Sequence, residues 1–203
     1  MKTEQITKRM QIVVASNNQK KRAEIQTILG ELGIELVSPE ETISIDVLED
    51  ADSFAGNAKK KAEAFAKANN CPALADDSGL CVDALNGAPG IYSARYAGED
   101  ASDDDNNRKL LSDLSGQKNR AAHFTCALHL AFIDDRAPLT AEGRSEGFIL
   151  NQAVGSKGFG YDPLFYSPEL DKAFADATPQ EKASVSHRGR ALRALAEQLK
   201  NRV

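Results

Sequence analysis

Apolar and polar positions alternate along this chain with two periods. Gln11–Ala15 is a short run rich in Val and Ile and reads as a strand. A polar stretch, Ser16–Lys21, follows as a loop, and Arg22–Glu31 reads as a helix ending near Gly33. Ile34–Val37 resembles a second strand, and residues 39–50 are irregular and acidic. Asp52–Asn69 carries Phe54, Ala58, Ala62 and Phe65 at helical spacing, so these four should face a core, with Asn57 and Lys61 one turn apart on a neighbouring face. Ser102–Leu114 is a further helix, whose Asp103, Asp104 and Asp105 suit the positive end of its dipole and read as a solvated helix start.

Strict alternation appears in Ala122–Ile133. Phe124, Cys126, Leu128, Leu130 and Phe132 share one face, while His123, Thr125 and His129 share the other, where both histidines should be surface or interface residues rather than ligands. Leu139–Leu150 is the expected partner strand, and Ser186–Leu199 closes as an amphipathic helix with Leu192, Leu195, Ala196 and Leu199 inward and Ser186 as N-cap. Strands alternate with helices early and two long strands come late, which predicts an α/β fold with a mixed sheet.

The chain has 203 residues, enough to bury a sizeable core. No stretch approaches the roughly 20 apolar residues that span a bilayer. The polar first nine residues lack the apolar core of a signal peptide and are expected to form a flexible extension to one domain over residues 10–203. Three cysteines without metal-site spacing read as reduced thiols of a cytoplasmic protein. A net charge of −5 argues against a duplex-coating protein but leaves room for a small anionic ligand.

Three clusters carry chemistry. Ser16, Asn17, Asn18, Gln19, Lys20 and Lys21 lie between a strand and a helix, where free backbone N–H groups, hydroxyl, amides and ammonium groups suit phosphate; a polar connecting loop would look the same. Asp76 and Asp77 enter what reads as a Ser-Gly turn, and alternation would send their carboxylates to opposite faces, one to a cleft and one to brace the turn. With Glu49 upstream they form a hard-oxygen set suited to Mg2+. Late in the chain, Gly158-Phe159-Gly160-Tyr161-Asp162-Pro163 could offer an aromatic face, and Lys182, Ser186, His187 and Arg188 offer donors. Together they sketch a Mg2+-nucleotide site.

Six motifs in order then carry a resemblance: S-N-N-x-x-K at Ser16–Lys21, F-x-x-N-A-x-x-K-A at Phe54–Ala62, A-D-D-S-G-L at Ala75–Leu80, G-A-P-G-I-Y-S-A-R-Y at Gly87–Tyr96, G-F-G-Y-D-P at Gly158–Pro163 and E-K-x-x-x-S-H-R-G at Glu181–Gly189. From about Ile12 to Leu199 the chain resembles the inosine triphosphate pyrophosphatase family, which hydrolyses non-canonical purine nucleoside triphosphates such as ITP, dITP and XTP to the monophosphate and pyrophosphate. The resemblance implies an elongated two-lobed α/β fold with a long mixed sheet and a cleft between lobes, usually in a homodimer. It implies that Ser16–Lys21 and Lys61 grip the triphosphate and that Asp77 is general base and Mg2+ ligand, with Glu49 as second ligand. It further implies that Ser78 lies beside the substrate, that Phe159, Gly160, Tyr161 and Asp162 bracket the base, and that Lys182, His187 and Arg188 read the purine edge. Lys20 and Gly56 depart from the family pattern, which often has Gly and an acidic residue there. An enzyme for modified pyrimidine nucleotides and a nucleotide sensor without turnover are the rival readings; the Lys182, His187 and Arg188 set argues against the first and the intact Asp77 and Glu49 against the second.

Overall fold

The computed structural model describes residues 10–31 and 33–201, so the expected extension at residues 1–9 lies outside it. In chain order the elements are β1 (Gln11–Val14), α1 (Gln19–Gly30), β2 (Glu35–Leu36), α2 (Phe54–Asn69), β3 (Ala73–Val82), α3 (Asp103–Asp113), β4 (Ala121–Ala131), β5 (Leu139–Ile149), β6 (Phe165–Ser167), β7 (Lys172–Ala173), α4 (Pro179–Val185) and α5 (His187–Lys200). The strands form one sheet in the order β2-β1-β3-β4-β5-β6-β7. β1 runs parallel to β2 and β3, and every other pairing is antiparallel, which gives the expected mixed sheet.

Cross-strand pairs on one face explain where the pocket lies. Leu74 pairs with Leu130, Asp76 with Leu128, Ser78 with Cys126, Leu80 with Phe124 and Val82 with Ala122. At one end of this face, Leu74, Leu128 and Leu130 pack with Ile25 and Leu29 of α1 and Ala191, Leu192, Leu195 and Leu199 of α5. At the other end, Leu80, Val82 and Phe124 pack with Leu110, Leu114, Phe165 and Phe174. Asp76 and Ser78 interrupt the apolar row between the two clusters. Polar side chains there cannot be covered by apolar neighbours without partners, so the face divides at that point. On the opposite face, Ala73, Ala75 and Ala131 pack under Ala62, Phe65 and Ala66 of α2.

Several expectations need correction. Asp76-Asp77-Ser78-Gly79 is not a turn but the middle of a ten-residue strand. Gly79 is there because a Cβ would stand 2.3 Å from the Gly90 carbonyl oxygen and 2.8 Å from the Phe54 ring; a glycine inside a strand marks close approach of another segment. α1 begins at Gln19, three residues before the expected Arg22, because Asn18 caps it. His129 is buried rather than at the surface, because α2 packs across that face of β4. A short helix, α4, was not foreseen, although Thr178-Pro179-x-Glu181 is a capping box with proline at the first helical position.

Candidate active site

The pocket lies where the apolar row breaks. Its lining includes Lys21, Ser78, Ser93, Asp103, Asn106, Phe159, Gly160, Tyr161, Asp162, Lys182, His187 and Arg188, with Asn18 at its edge. The structure thus gathers the starts of α1 and α3, mid-β3, the glycine-rich turn and the α4–α5 junction around one cavity.

In its lining Arg188, 2% exposed, is held by two carboxylates. Its Nε and Nη2 donate to Asp76 Oδ2 at 3.1 and 2.9 Å, and its Nη1 donates to Glu24 Oε2 at 2.5 Å. Ser78 Oγ also donates to Asp76 Oδ2 at 2.9 Å, and Lys21 Nζ stands 3.3 Å from Asp76 Oδ1. Burial opposes the charge on Asp76, but Lys21, Arg188 and Lys61 outweigh it and hold the carboxyl well below the usual carboxylate range. Asp76 is therefore a permanently charged anchor. Glu24, absent from the sequence-based set, also stands 3.6 Å from Lys182 Nζ.

Asp77 points the other way, towards α2. Its Oδ2 accepts from Asn57 Nδ2 at 3.1 Å, and its Oδ1 lies 3.7 Å from Lys61 Nζ. Lys61 Nζ in turn donates to Glu49 Oε2 at 3.1 Å and to the Asp76 carbonyl at 3.0 Å. One ammonium thus holds both expected metal ligands and the strand between them. Burial raises the Asp77 carboxyl above its ordinary value, against the opposing pull of Lys61 and Asn57. Among the described residues, no three His, Cys, Asp or Glu side chains come together as a metal cage. Two carboxylates without nitrogen or sulfur donors fit a hard cation that keeps its remaining positions for water and phosphate oxygens, as Mg2+ does.

The Ser16–Lys21 loop, expected to bind phosphate, differs from expectation in how its amides are used. The Asn18 side chain accepts from the backbone N–H groups of Lys20 and Lys21 at 3.0 and 3.1 Å, so two helix-start amides are already satisfied. Ser16 Oγ accepts from the Asn18 N–H, and Asn17 and Gln19 are exposed. Of this loop, Lys21 and Asn18 reach the pocket. Lys20 crosses instead to the glycine-rich turn, its Nζ donating to the Gly158 carbonyl at 2.6 Å.

That turn depends on two glycines. Gly158 (φ 80°) and Gly160 (φ 59°) both lie in the left-handed region, where other residues are strained. Asp162, buried, accepts from the Phe159 N–H at 2.9 Å and from Lys182 Nζ at 2.6 Å. Lys182 also sits 4.7 Å from the centre of the Phe159 ring. Tyr161 is buried, its hydroxyl donating to the Ser93 carbonyl at 2.9 Å, so it serves the wall of the pocket. His187 stacks on Phe124 at 4.7 Å between ring centres. Burial, reinforced by Arg188 and Lys182, pushes its pKa well below the ordinary 6.5, so the imidazole is neutral. Its Nδ1 is buried and has no hydrogen-bond partner among the described residues.

The profile of the Ham1 family matches residues 12–198. The chain belongs to the Ham1 family. A protein of Desulfotalea psychrophila named dITP/XTP pyrophosphatase is 52% identical over 182 residues, spanning 89% of this chain and 81% of that protein. One of the same name from Clostridium perfringens is 48% identical over 197 residues, spanning 93% and 96%. Among solved structures, the Staphylococcus aureus Ham1 protein superposes with a TM-score of 0.85 at 42% identity, covering 95% of this chain and 100% of that one. In this Ham1 chain the two departures noted above have local consequences. Lys20 is tied to Gly158, and a Cβ at Gly56 would stand 2.8 Å from the Ala51 Cβ, so an acidic side chain there needs the preceding loop to shift.

Proposed function

We propose that this chain is a Mg2+-dependent pyrophosphatase that converts non-canonical purine nucleoside triphosphates, dITP, XTP and ITP, to the monophosphate and pyrophosphate. One observation carries the reading. A donor-lined pocket and a paired-carboxylate cluster lie on opposite faces of β3, joined by three consecutive residues, Asp76, Asp77 and Ser78. A nucleotide whose base occupies the pocket can run its phosphates past Lys21 towards Lys61 and Asp77. The names carried by the Desulfotalea and Clostridium relatives support this substrate class.

In this reading Asp77 and Glu49 hold Mg2+, which when bound neutralises phosphate charge and shares the load with the lysines. Asp77, raised by burial and oriented by Asn57, takes the proton of a water that attacks the α-phosphorus. A bond forms from water oxygen to the α-phosphorus and the bridging bond to the β-phosphate breaks. Lys21 and Lys61 stabilise the charge gathering on pyrophosphate. At the other end, Lys182 and Arg188 are fixed by Asp162, Asp76 and Glu24, so their remaining N–H groups present a rigid donor surface to a 6-oxo group. The unpartnered Nδ1 of neutral His187 adds a further polar contact. Adenine places an amino donor where this surface needs an acceptor, which leaves donors unpaired.

We also place the protein in the cytoplasm as a homodimer. Among the described residues no helix is long and apolar enough to cross a membrane. The outer face of β5 and β6 exposes Phe148 stacked on Tyr166, an apolar patch suited to a second copy.

The test is pyrophosphate release, with and without Mg2+, over dITP, XTP, ITP, GTP, ATP and modified pyrimidine triphosphates. Preference for the 6-oxo, non-canonical purines supports the reading. Preference for the pyrimidines, or tight binding without release, overturns it.

A further inference from the structure

The segment 158–162 that walls the pocket belongs to neither helix nor strand, and two of its five residues are glycines in the left-handed region. Such a turn has little stiffness of its own, because glycine gives the backbone its widest freedom. Its peptide at Gly160 is nevertheless bonded on both sides by a single helix. The Gly160 N–H donates to Asp103 Oδ2 at 2.7 Å, and the Gly160 carbonyl accepts from Asn107 Nδ2 at 3.0 Å. Asp103 and Asn107 are one helical turn apart and so share a face of α3.

Asp103 makes no part of the cap of α3. Ser102 and Asp105 make a reciprocal capping box that satisfies the start of the helix without Asp103. Asp103 instead reaches across 57 positions of sequence to the turn. Asn107 is buried at that contact. The remainder of the turn is held by Lys20 on the Gly158 carbonyl, by the Tyr161 hydroxyl on Ser93 and, within the turn, by Asp162 on the Phe159 N–H.

We infer that Asp103 and Asn107 are positioning residues: through the Gly160 peptide, α3 sets where the Phe159–Asp162 wall stands and so how wide the base pocket is. This rests on the assignment of the turn to the base end of the substrate. The acidic start of α3 thus has a task beyond its dipole, and the acceptor oxygen of Asp103 carries it rather than the charge.

Hydrogen exchange in the full chain without nucleotide tests the contact directly. Asp103→Ala should speed exchange of the Gly160 amide by about tenfold or more, since the side-chain acceptor of that N–H is removed, and Asn107→Ala, which frees only the Gly160 carbonyl, should speed it by less, while the melting temperature stays near the parent value. Asp103→Asn, which keeps an acceptor oxygen, should restore slow exchange. With dITP and XTP, Asp103→Ala should raise KM about tenfold, the size of one ordinary hydrogen bond, with a much smaller fall in kcat, and Asp103→Asn should recover most of the loss. Unchanged exchange in well-folded Asp103→Ala overturns the inference, as does an Asn variant as impaired as Ala. Should Asn107→Ala fail to fold, the exposed Asp103 pair of variants decides the matter alone. If the parent chain hydrolyses neither dITP nor XTP, the base assignment fails, and the exchange data still show whether α3 holds the turn.

Discussion

Asp76 and Asp77 are neighbours in the chain, yet their carboxylates act on opposite faces of the sheet. Asp76 accepts from Arg188 of α5 and from Ser78, while Asp77 accepts from Asn57 of α2. The first is sealed among cations and the second stands beside Lys61 and Glu49. The pair is one strand's way of giving adjacent carboxyls different proton affinities, one lowered and one raised.

Asp77→Asn is expected to abolish turnover while leaving the fold intact. The amide can keep the contact with Asn57 but loses both charge and basicity, and loss of a general base costs roughly 10²–10⁴-fold. Pyrophosphate release with dITP and a thermal melt check this together. Near-parent kcat at saturating Mg2+ would take the base role away from Asp77.

Activity should vanish on exhaustive chelation and return with Mg2+. Glu49→Ala should shift the Mg2+ titration to higher concentration, with Lys61 losing one of its acceptors. A titration that overlays the parent curve would remove Glu49 from the metal site.

Arg188→Ala is expected to destabilise the fold by about 3 kcal/mol, because it takes from buried Asp76 the guanidinium that donates to it twice and leaves Lys21 as its nearest cation. By contrast, Arg136→Ala, which breaks an exposed pair with Asp134, should cost about 0–1 kcal/mol. Urea denaturation measures both. The double variant Asp76→Asn with Arg188→Leu should recover part of the loss, since the two sites share one network. Equal, small effects at Arg188 and Arg136 would contradict the anchor role.

How much of this was legible beforehand varies with the physics involved. The 3.6-residue period marked α2 and α5, and strict alternation marked β4, because burial of one face dictates those patterns. The Asp-Asp-Ser-Gly segment was misread as a turn because Ser and Gly favour turns locally. The reason for Gly79, the close approach of the Gly90 carbonyl, is a tertiary fact invisible in the local sequence. The motifs, with Glu49 outside them, supplied the expected site residues, but not how they divide between pocket and carboxylate cluster. Glu24 was missed altogether and Asp103 was read only as part of a solvated helix start, since a glutamate within a helix and an aspartate at a helix start both look like solvated surface. Arg188, expected to read the purine edge, is by its burial first a residue of the fold.

The neutral imidazole of His187 gives a pH dependence with a definite sign. Its folded pKa lies well below 6.5, whereas the unfolded chain titrates near 6.5. Below that pH the unfolded state takes up a proton that the folded state does not, so this contribution to stability is complete above about pH 6.5 and is lost as the pH falls below it. The melting temperature should therefore fall more steeply between about pH 7 and about pH 5 in the parent than in His187→Gln. Identical slopes would mean that His187 titrates alike in both states.

β3 and β4 stay paired without interruption from Ala73 opposite Ala131 to Val82 opposite Ala122, straight beneath the polar break that makes the pocket. The two apolar clusters therefore share one continuous floor. Parting them like the halves of a hinge would tear ladder hydrogen bonds in the middle of the sheet. Any breathing of the cavity falls instead to its roof, the Gly158–Asp162 turn and the α4–α5 junction. A small molecule built to seize the resting protein would find a stiff template in Ser78 and a yielding contact in Phe159, and should draw its selectivity from the first.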